Sequence, residues 1–304
     1  MEAKSISQAT DEALKYIIDR KEGNIKPLKT KWNKLNNILG GGLEWNTIIG
    51  ICGMSSSGKT LLLNELEDSL FNNNPDEDFI SINLNYEMMS RMLIIRKLSA
   101  KTNLTIKDIL SVGNTMLSDV DIDDFKREID AINKHPIYFY ESPSTIKGIA
   151  EIIDYNWKLH KKKIVLFLDH TILVRKSSTD SNTIDLLYNL MDMFNHAKKN
   201  YPIIIVISSQ LNREIESTER IQRPSSLNYP KKGDIFGSES LFQMSDIVIV
   251  NHRPSQLNMK FYGEDRTPVT ERDLFWHILK NRNGELAILR MIAEFKHMKI
   301  EEYV

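Results

Sequence analysis

The stretch Thr47-Ile48-Ile49-Gly50-Ile51-Cys52-Gly53-Met54-Ser55-Ser56-Ser57-Gly58-Lys59-Thr60 decides the fold. Thr47 to Cys52 is a short apolar, β-branched run and reads as a buried parallel strand. Gly53 to Thr60 spells a complete G-x-x-x-x-G-K-T loop, and Leu61 to Leu70 continues with helical apolar spacing. In such a strand, loop and helix, successive backbone N–H groups running into a helix N-terminus form a concave anion site, reinforced by the helix dipole. Gly53 and Gly58 allow backbone angles that a β-carbon resists, and Ser55, Ser56 and Ser57 fill the turn between them. Lys59 brings a point charge to the β- and γ-phosphates, and the Thr60 hydroxyl suits a magnesium ion bridging them. A nucleoside triphosphate with Mg2+ is therefore the expected ligand.

Outward from this unit the chain alternates strand and helix. Phe79 to Leu84 reads as a second strand followed by a helix from near Glu87. Asp121 to Lys134 is a helix, Ile137 to Tyr140 a strand and Ser144 to His160 a helix. Ile164 to Leu168 is the most apolar strand and is expected at the centre of the sheet. Thr183 to Lys199 reads as a helix leading into the strand Ile203 to Ile207. Ile247 to Val250, Phe275 to Leu279 and Ala287 to Leu289 read as strands joined by turns. The expected fold is α/β, a mostly parallel twisted sheet flanked by helices with antiparallel strands at its C-terminal edge. Ahead of it, residues 5 to 22 form an amphipathic helix (Ile6, Ala9, Ala13, Leu14, Ile17, Ile18), cut off by Gly23 and Pro27. Its apolar stripe needs a surface to cover, in its own domain or on a neighbouring subunit.

The bulk numbers narrow the class. With 304 residues, 41% of them hydrophobic, the chain can bury a substantial core. No apolar run approaches the roughly 20 residues that span a bilayer, and the N-terminus lacks a secretory signal, so a soluble, cytoplasmic protein without a membrane partner is expected. Lys+Arg 40 against Asp+Glu 41 leaves a formal charge of −1, so any nucleic-acid surface must be local. Cys52 is the single cysteine, which excludes an internal disulfide and reads as a small core residue.

Three further residues complete a catalytic constellation. Asp169 ends the most apolar strand, where an acidic side chain has no packing value, and fits an aspartate holding hydrated magnesium. Glu87 follows the second strand, a position from which a carboxylate polarises an attacking water, although helix starts favour glutamate anyway. Gln210 follows the strand Ile203 to Ile207 and is suited to reading the γ-phosphate; the plain alternative is a polar residue at a strand end.

Gly53 to Thr60, Asn85-Tyr86-Glu87-Met88, Phe167-Leu168-Asp169-His170, Gln210 to Glu216, Arg223-Pro224, Ser245 to Val248 and Lys280-Asn281-Arg282-Asn283-Gly284 resemble, in this order, the successive motifs of the DnaB-type replicative helicases. The resemblance covers about residues 5 to 295. It implies a RecA-like P-loop ATPase motor over residues 29–304, a linker helix over 1–28 that docks on the adjacent subunit, and a homo-hexameric ring around single-stranded DNA. Lys59 and Thr60 would bind phosphate and magnesium, Glu87 would activate water, Asp169 would organise the metal and Gln210 would couple the γ-phosphate to DNA. Lys280 and Arg282 match the lysine and arginine finger supplied across the subunit boundary; an Asn-Gly turn in the same segment is compatible with a plain hairpin. Lys231, Lys232, Gly233 and Gly237 lie where the family places a DNA-gripping channel loop, the alternative being a solvated surface loop.

The sequence departs from the family in three places. His170 stands where tyrosine is usual. The channel loop lacks the usual Asp-Leu-Arg. The separate collar domain through which replicative members meet primase is not seen ahead of the linker helix, so primase coupling is expected to come from elsewhere or to be absent; a primase or helicase loader is a candidate partner. The expected activity is ATP-dependent DNA unwinding in phage or mobile-element replication. A RecA- or KaiC-like DNA-binding ATPase without unwinding is the alternative, with Leu39 to Leu43 compatible. A non-catalytic helicase-derived loading partner is a third reading, against which Lys59, Glu87, Asp169 and Arg282 speak.

Overall fold

A computed structural model describes residues 3–113, 117–177, 181–222 and 228–303. Its centre is the strand that begins the phosphate unit. β1 (Thr47–Gly53) is buried along its whole length between β5 (Ile203–Gln210) and β6 (Ile247–His252), both parallel to it. Beyond β5 lie β4 (Lys163–Asp169), β2 (Phe79–Asn85) and the edge strand β3 (Ile137–Tyr140), also parallel. Beyond β6 the direction reverses through β9 (Asp273–Asn281), β10 (Ala287–Glu294) and β11 (Lys299–Glu302). The order β11-β10-β9-β6-β1-β5-β4-β2-β3 makes nine strands, and β7 (Phe261–Tyr262) pairs separately with β8 (Thr267–Pro268). The expected mostly parallel sheet with an antiparallel C-terminal edge is present. One expectation needs correcting: β4, for all its apolarity, is an interior strand and the middle of the sheet is β1. Strands buried on both faces look alike in composition wherever they lie between the edges.

Alternation along β1 divides the core. Ile49 and Ile51 face a cluster with Leu61, Leu62 and Leu66 of α3 (Lys59–Asn73), completed by Trp32 and Trp276, whose rings meet edge to face at 4.8 Å. Ile48 and Cys52 face the other cluster, with Ile149 and Ile153 of α7 (Ile146–His160) and Leu190 and Phe194 of α8 (Thr183–Asn200). The short α2 (Asn33–Ile38) precedes β1; α4 (Ser90–Thr102), α5 (Ile106–Ile109) and α6 (Asp119–Ile132) run between β2 and β3; α9 (Thr218–Gln222) follows β5, and α10 (Ser238–Met244) packs beside α8. α4 begins three residues after Glu87, because Met89 is extended at the N-cap and the Ser90 N–H donates to Glu141 Oε1 at 2.7 Å.

α1 (Ile6–Glu22) opens with a Ser5–Gln8 capping box and ends at Gly23, where φ is 77°. None of its residues is buried. Ile6, Leu14 and Ile17 of its apolar stripe are 81%, 59% and 62% exposed, so the stripe does not cover its own domain. Among the described residues no helix is long and apolar enough to cross a membrane.

Candidate active site

At the carboxyl end of β1 the phosphate loop is shaped by contacts that a propensity reading does not contain. A β-carbon on Gly53 would lie 2.5 Å from Ser57 Oγ and 2.8 Å from the Asn251 carbonyl oxygen, so only glycine fits. Gly58, with φ of 94°, caps α3, whose first N–H groups have no intrahelical partner. From outside the loop, Asn251 Nδ2 donates to the Ser57 carbonyl at 2.8 Å and Gln256 Nε2 donates to the Ser55 carbonyl at 2.6 Å. Asn251 is itself held by Trp276 Nε1, which donates to its Oδ1 at 2.9 Å. Ser55 and Ser56 line the cavity above the loop, and buried Ser57 Oγ has no hydrogen-bond partner.

Lys59 folds back on this loop, donating from Nζ to the carbonyls of Gly53 and Met54 at 3.0 and 2.8 Å. Burial pushes its pKa below the ordinary lysine value, opposed by the negative charges of Asp169 and Glu87. Cys52, directly behind the loop, has its thiol pushed up to about 12 by burial, in keeping with an inert core residue.

Thr60 and Asp169 are brought together. Thr60 Oγ1 donates to Asp169 Oδ2 at 2.7 Å, while Asp169 Oδ1 is buried without a partner. A partly buried hydroxyl–carboxylate pair with an acceptor to spare fits a hydrated magnesium ion carried in with a nucleotide. Glu87 is half exposed, with Oε2 3.6 Å from Nε2 of His170, the residue where tyrosine is usual. The Tyr86 N–H donates to the Asp169 carbonyl at 3.1 Å, tying the Glu87 turn to the end of β4. Gln210 pairs with Gly53 across β1 and β5 and lines the same cavity of about 300 Å³ as Lys59, Thr60 and Glu87.

Three cavity residues escaped the sequence reading. Arg96, on α4, has a buried Nε without a partner, and burial lowers its pKa against the attraction of Asp169 and Glu87. Phe295 and Met298 close the cavity from the β10–β11 connection, and Arg253 lies over the Phe295 ring at 4.0 Å. Arg96 looks like any cation on a helix, and nothing local marks Phe295 or Asn251, which reach the loop from more than 190 positions away.

Lys280 and Arg282 are far from this cavity. Asn281 pairs with Ile247 and Ile247 with Ile49, so these residues lie at the amino end of β1. From there to Gly53 is about 13 Å along the strands. Lys280 Nζ donates to the carbonyls of Phe242 and Gln243, both at 2.8 Å, and half-exposed Arg282 pairs with Asp246 at 3.1 Å. The loop after β5 is tied to the cavity instead. The Phe236 N–H donates to the Gln210 carbonyl at 2.9 Å, Leu211 bridges Ile235, and Arg220 clamps Asp234 at 2.5 and 2.9 Å. Lys231, Lys232 and Gly233 are exposed on this loop. Gly237 has a packing reason: a β-carbon there would lie 2.3 Å from Leu187 Cδ1. Arg223 and Pro224 lie outside the described residues.

Comparison with solved structures returns the ATPase domain of G40P, at a TM-score of 0.83 and 16% identity with both chains covered completely. A DnaB-like replicative helicase whose interactions with primase are described matches at a TM-score of 0.79 and 17% identity, over 100% of this chain and 68% of that one. At such identities the likeness is one of fold. No curated protein matches the sequence. The model of the DnaB-like helicase C-terminal domain, however, matches residues 27–302. The chain therefore belongs to that family, whose members are ATP-hydrolysing helicases.

Proposed function

We propose that this chain is the motor of a hexameric replicative DNA helicase that translocates on single-stranded DNA and unwinds duplex, serving phage or mobile-element replication. The observation that carries this reading is the division of the catalytic set between opposite ends of one sheet. Lys59, Thr60, Glu87, Asp169 and Gln210 gather at the carboxyl end of β1, and Arg282 with Lys280 stands at its amino end. One subunit cannot bring these together, whereas subunits arranged head to tail in a ring can. The exposed apolar stripe of α1 supports the same arrangement, with the helix docking on the neighbour.

Lys59 and the loop amides would bind the phosphates, the lysine exchanging its loop carbonyls for phosphate oxygens. Thr60 and Asp169 would hold magnesium, which when bound neutralises charge between the β- and γ-phosphates. Glu87 would orient and deprotonate water, and Arg96 would add a cation from the same subunit. Arg282 of a neighbour would stabilise the transferring phosphoryl group only when the interface closes, linking hydrolysis to ring motion. Gln210, bonded through its carbonyl to the loop carrying Lys231, Lys232 and Gly233, would pass the state of the γ-phosphate to DNA. A primase or helicase loader would be a partner.

Strand displacement on a forked duplex with ATP and magnesium, beside a Lys59→Ala control, tests the proposal. Unwinding by the wild type alone is expected, with hydrolysis by the control reduced roughly 100-fold or more. DNA-stimulated hydrolysis without unwinding would favour a RecA- or KaiC-like ATPase, and no hydrolysis at all would overturn the reading of the site.

A further inference from the structure

Behind the cavity, out of reach of any nucleotide, sits an ion pair between Glu67 of α3 and Lys97 of α4, 3% and 2% exposed respectively. Lys97 Nζ is 2.8 Å from Glu67 Oε2 and 3.3 Å from Asp68 Oδ1, and Asp68 also takes Lys101 at 2.9 Å. The other oxygen of Glu67 accepts from Ser81 Oγ and, at 2.5 Å, from Asn83 Nδ2, both on β2. Burial works to lower the Lys97 pKa, but Glu67 and Asp68 outweigh it and hold the ammonium above its ordinary value.

Removing two charges from water is costly, and apolar residues of similar size usually stabilise such a position as well or better. What the pair adds is direction, since it ties three elements together at fixed atoms. α3 begins at the phosphate loop. β2 presents Ser81, Asn83 and Asn85 on one face and runs into Glu87. α4 carries Arg96 one residue before Lys97, so fixing Lys97 against α3 fixes the rotation of the helix, about 100° per residue, at which Arg96 faces the cavity. We propose that Glu67 and Lys97 are positioning residues that set where Glu87 and Arg96 stand relative to the phosphate loop.

This inference rests on the site reading given above, and the test separates the two. Glu67→Gln with Lys97→Met removes both charges while keeping an acceptor for Ser81 and Asn83. The double variant is expected to melt within a few degrees of wild type, to lose about 10-fold in kcat for ATP hydrolysis and to keep KM within about two-fold. Amide exchange over residues 86–92 should quicken. Lys97→Arg, which preserves the charge, should keep kcat within about three-fold of wild type. A folded double variant with wild-type kcat and unchanged exchange over 86–92 would overturn the proposal, as would a rise in KM equal to the fall in kcat. A wild type that hydrolyses no ATP would overturn the site reading instead, and the exchange measurement would still decide the positioning role.

Discussion

Two buried imidazoles illustrate how much single residues behind the phosphate loop determine. His252, next to Asn251, is fully buried with neither ring nitrogen hydrogen-bonded, and His277 accepts or donates to the Tyr262 hydroxyl at 2.7 Å. Burial lowers both to about 3, with the charge of Arg220 adding to it at His252 and His252 adding to it at His277. A histidine whose folded value is depressed binds its proton more readily when unfolded. Its contribution to stability is therefore complete above about pH 6.5 and is lost progressively as pH falls toward 3. At pH 5 the loss is about 2 kcal/mol per histidine. Chemical denaturation at pH 7.5 and pH 5 should show this drop, and His277→Gln, which can still meet Tyr262, should flatten it; equal stability at the two pH values would refute the account. Asn251 makes a second prediction. Asn251→Ala removes the hydrogen bond to the Ser57 carbonyl and leaves the Trp276 indole N–H buried without an acceptor, at a cost of about 1–3 kcal/mol. Because the lost contact is to the phosphate loop itself, titration calorimetry should show weaker ATP binding, whereas a change confined to melting temperature would make Asn251 a core residue only.

At the level of elements, legibility followed locality. β1, the loop and α3 are contiguous, so their periodicity and glycines carried the unit complete, and Asp169 stood out because an acid at the end of an all-apolar strand has no packing reason. Arg96, Phe295 and Asn251 were not legible because their role comes from a fold that joins distant segments, and each looks ordinary among its sequence neighbours. At Gly237, singled out from the sequence for a channel-loop role, the structure supplies a packing explanation as well. α10 approaches α8 so closely at Gly237 that a methyl group would overlap Leu187, and φ there is 63°. Gly237→Ala should accordingly destabilise the protein by roughly 1–3 kcal/mol. Lys231→Ala with Lys232→Ala, both exposed, should leave the melting temperature unchanged while weakening single-stranded DNA binding and reducing its salt dependence. If the lysine variant bound DNA like wild type, the loop would be a solvated connection and nothing more.

On the scale of the whole molecule, α1 and the sheet's amino end are the features that a single subunit leaves unused. α1 touches its own domain through a partly exposed Arg20–Glu44 pair at 2.5 Å and a long Tyr16–Glu44 contact at 3.4 Å, which together are worth about 1 kcal/mol or less. Removing residues 1–22 should therefore leave the melting temperature nearly unchanged but shift sedimentation, with nucleotide present, from rings to smaller species. The proposed sharing of the site between subunits gives a sharper test. Lys59→Ala subunits lack a working phosphate loop but keep Arg282, and Arg282→Ala subunits have the reverse defect. If Arg282 acts across the boundary, an equal random mixture places intact Lys59 opposite intact Arg282 at about a quarter of interfaces, and ATP hydrolysis should recover to a comparable fraction of wild type. If Arg282 acted within its own subunit, no combination of the two would contain a complete site and the mixture would stay as inactive as its components. The sheet register makes the second outcome hard to reconcile with the fold, since it places the guanidinium at the far end of the strands from its own Lys59.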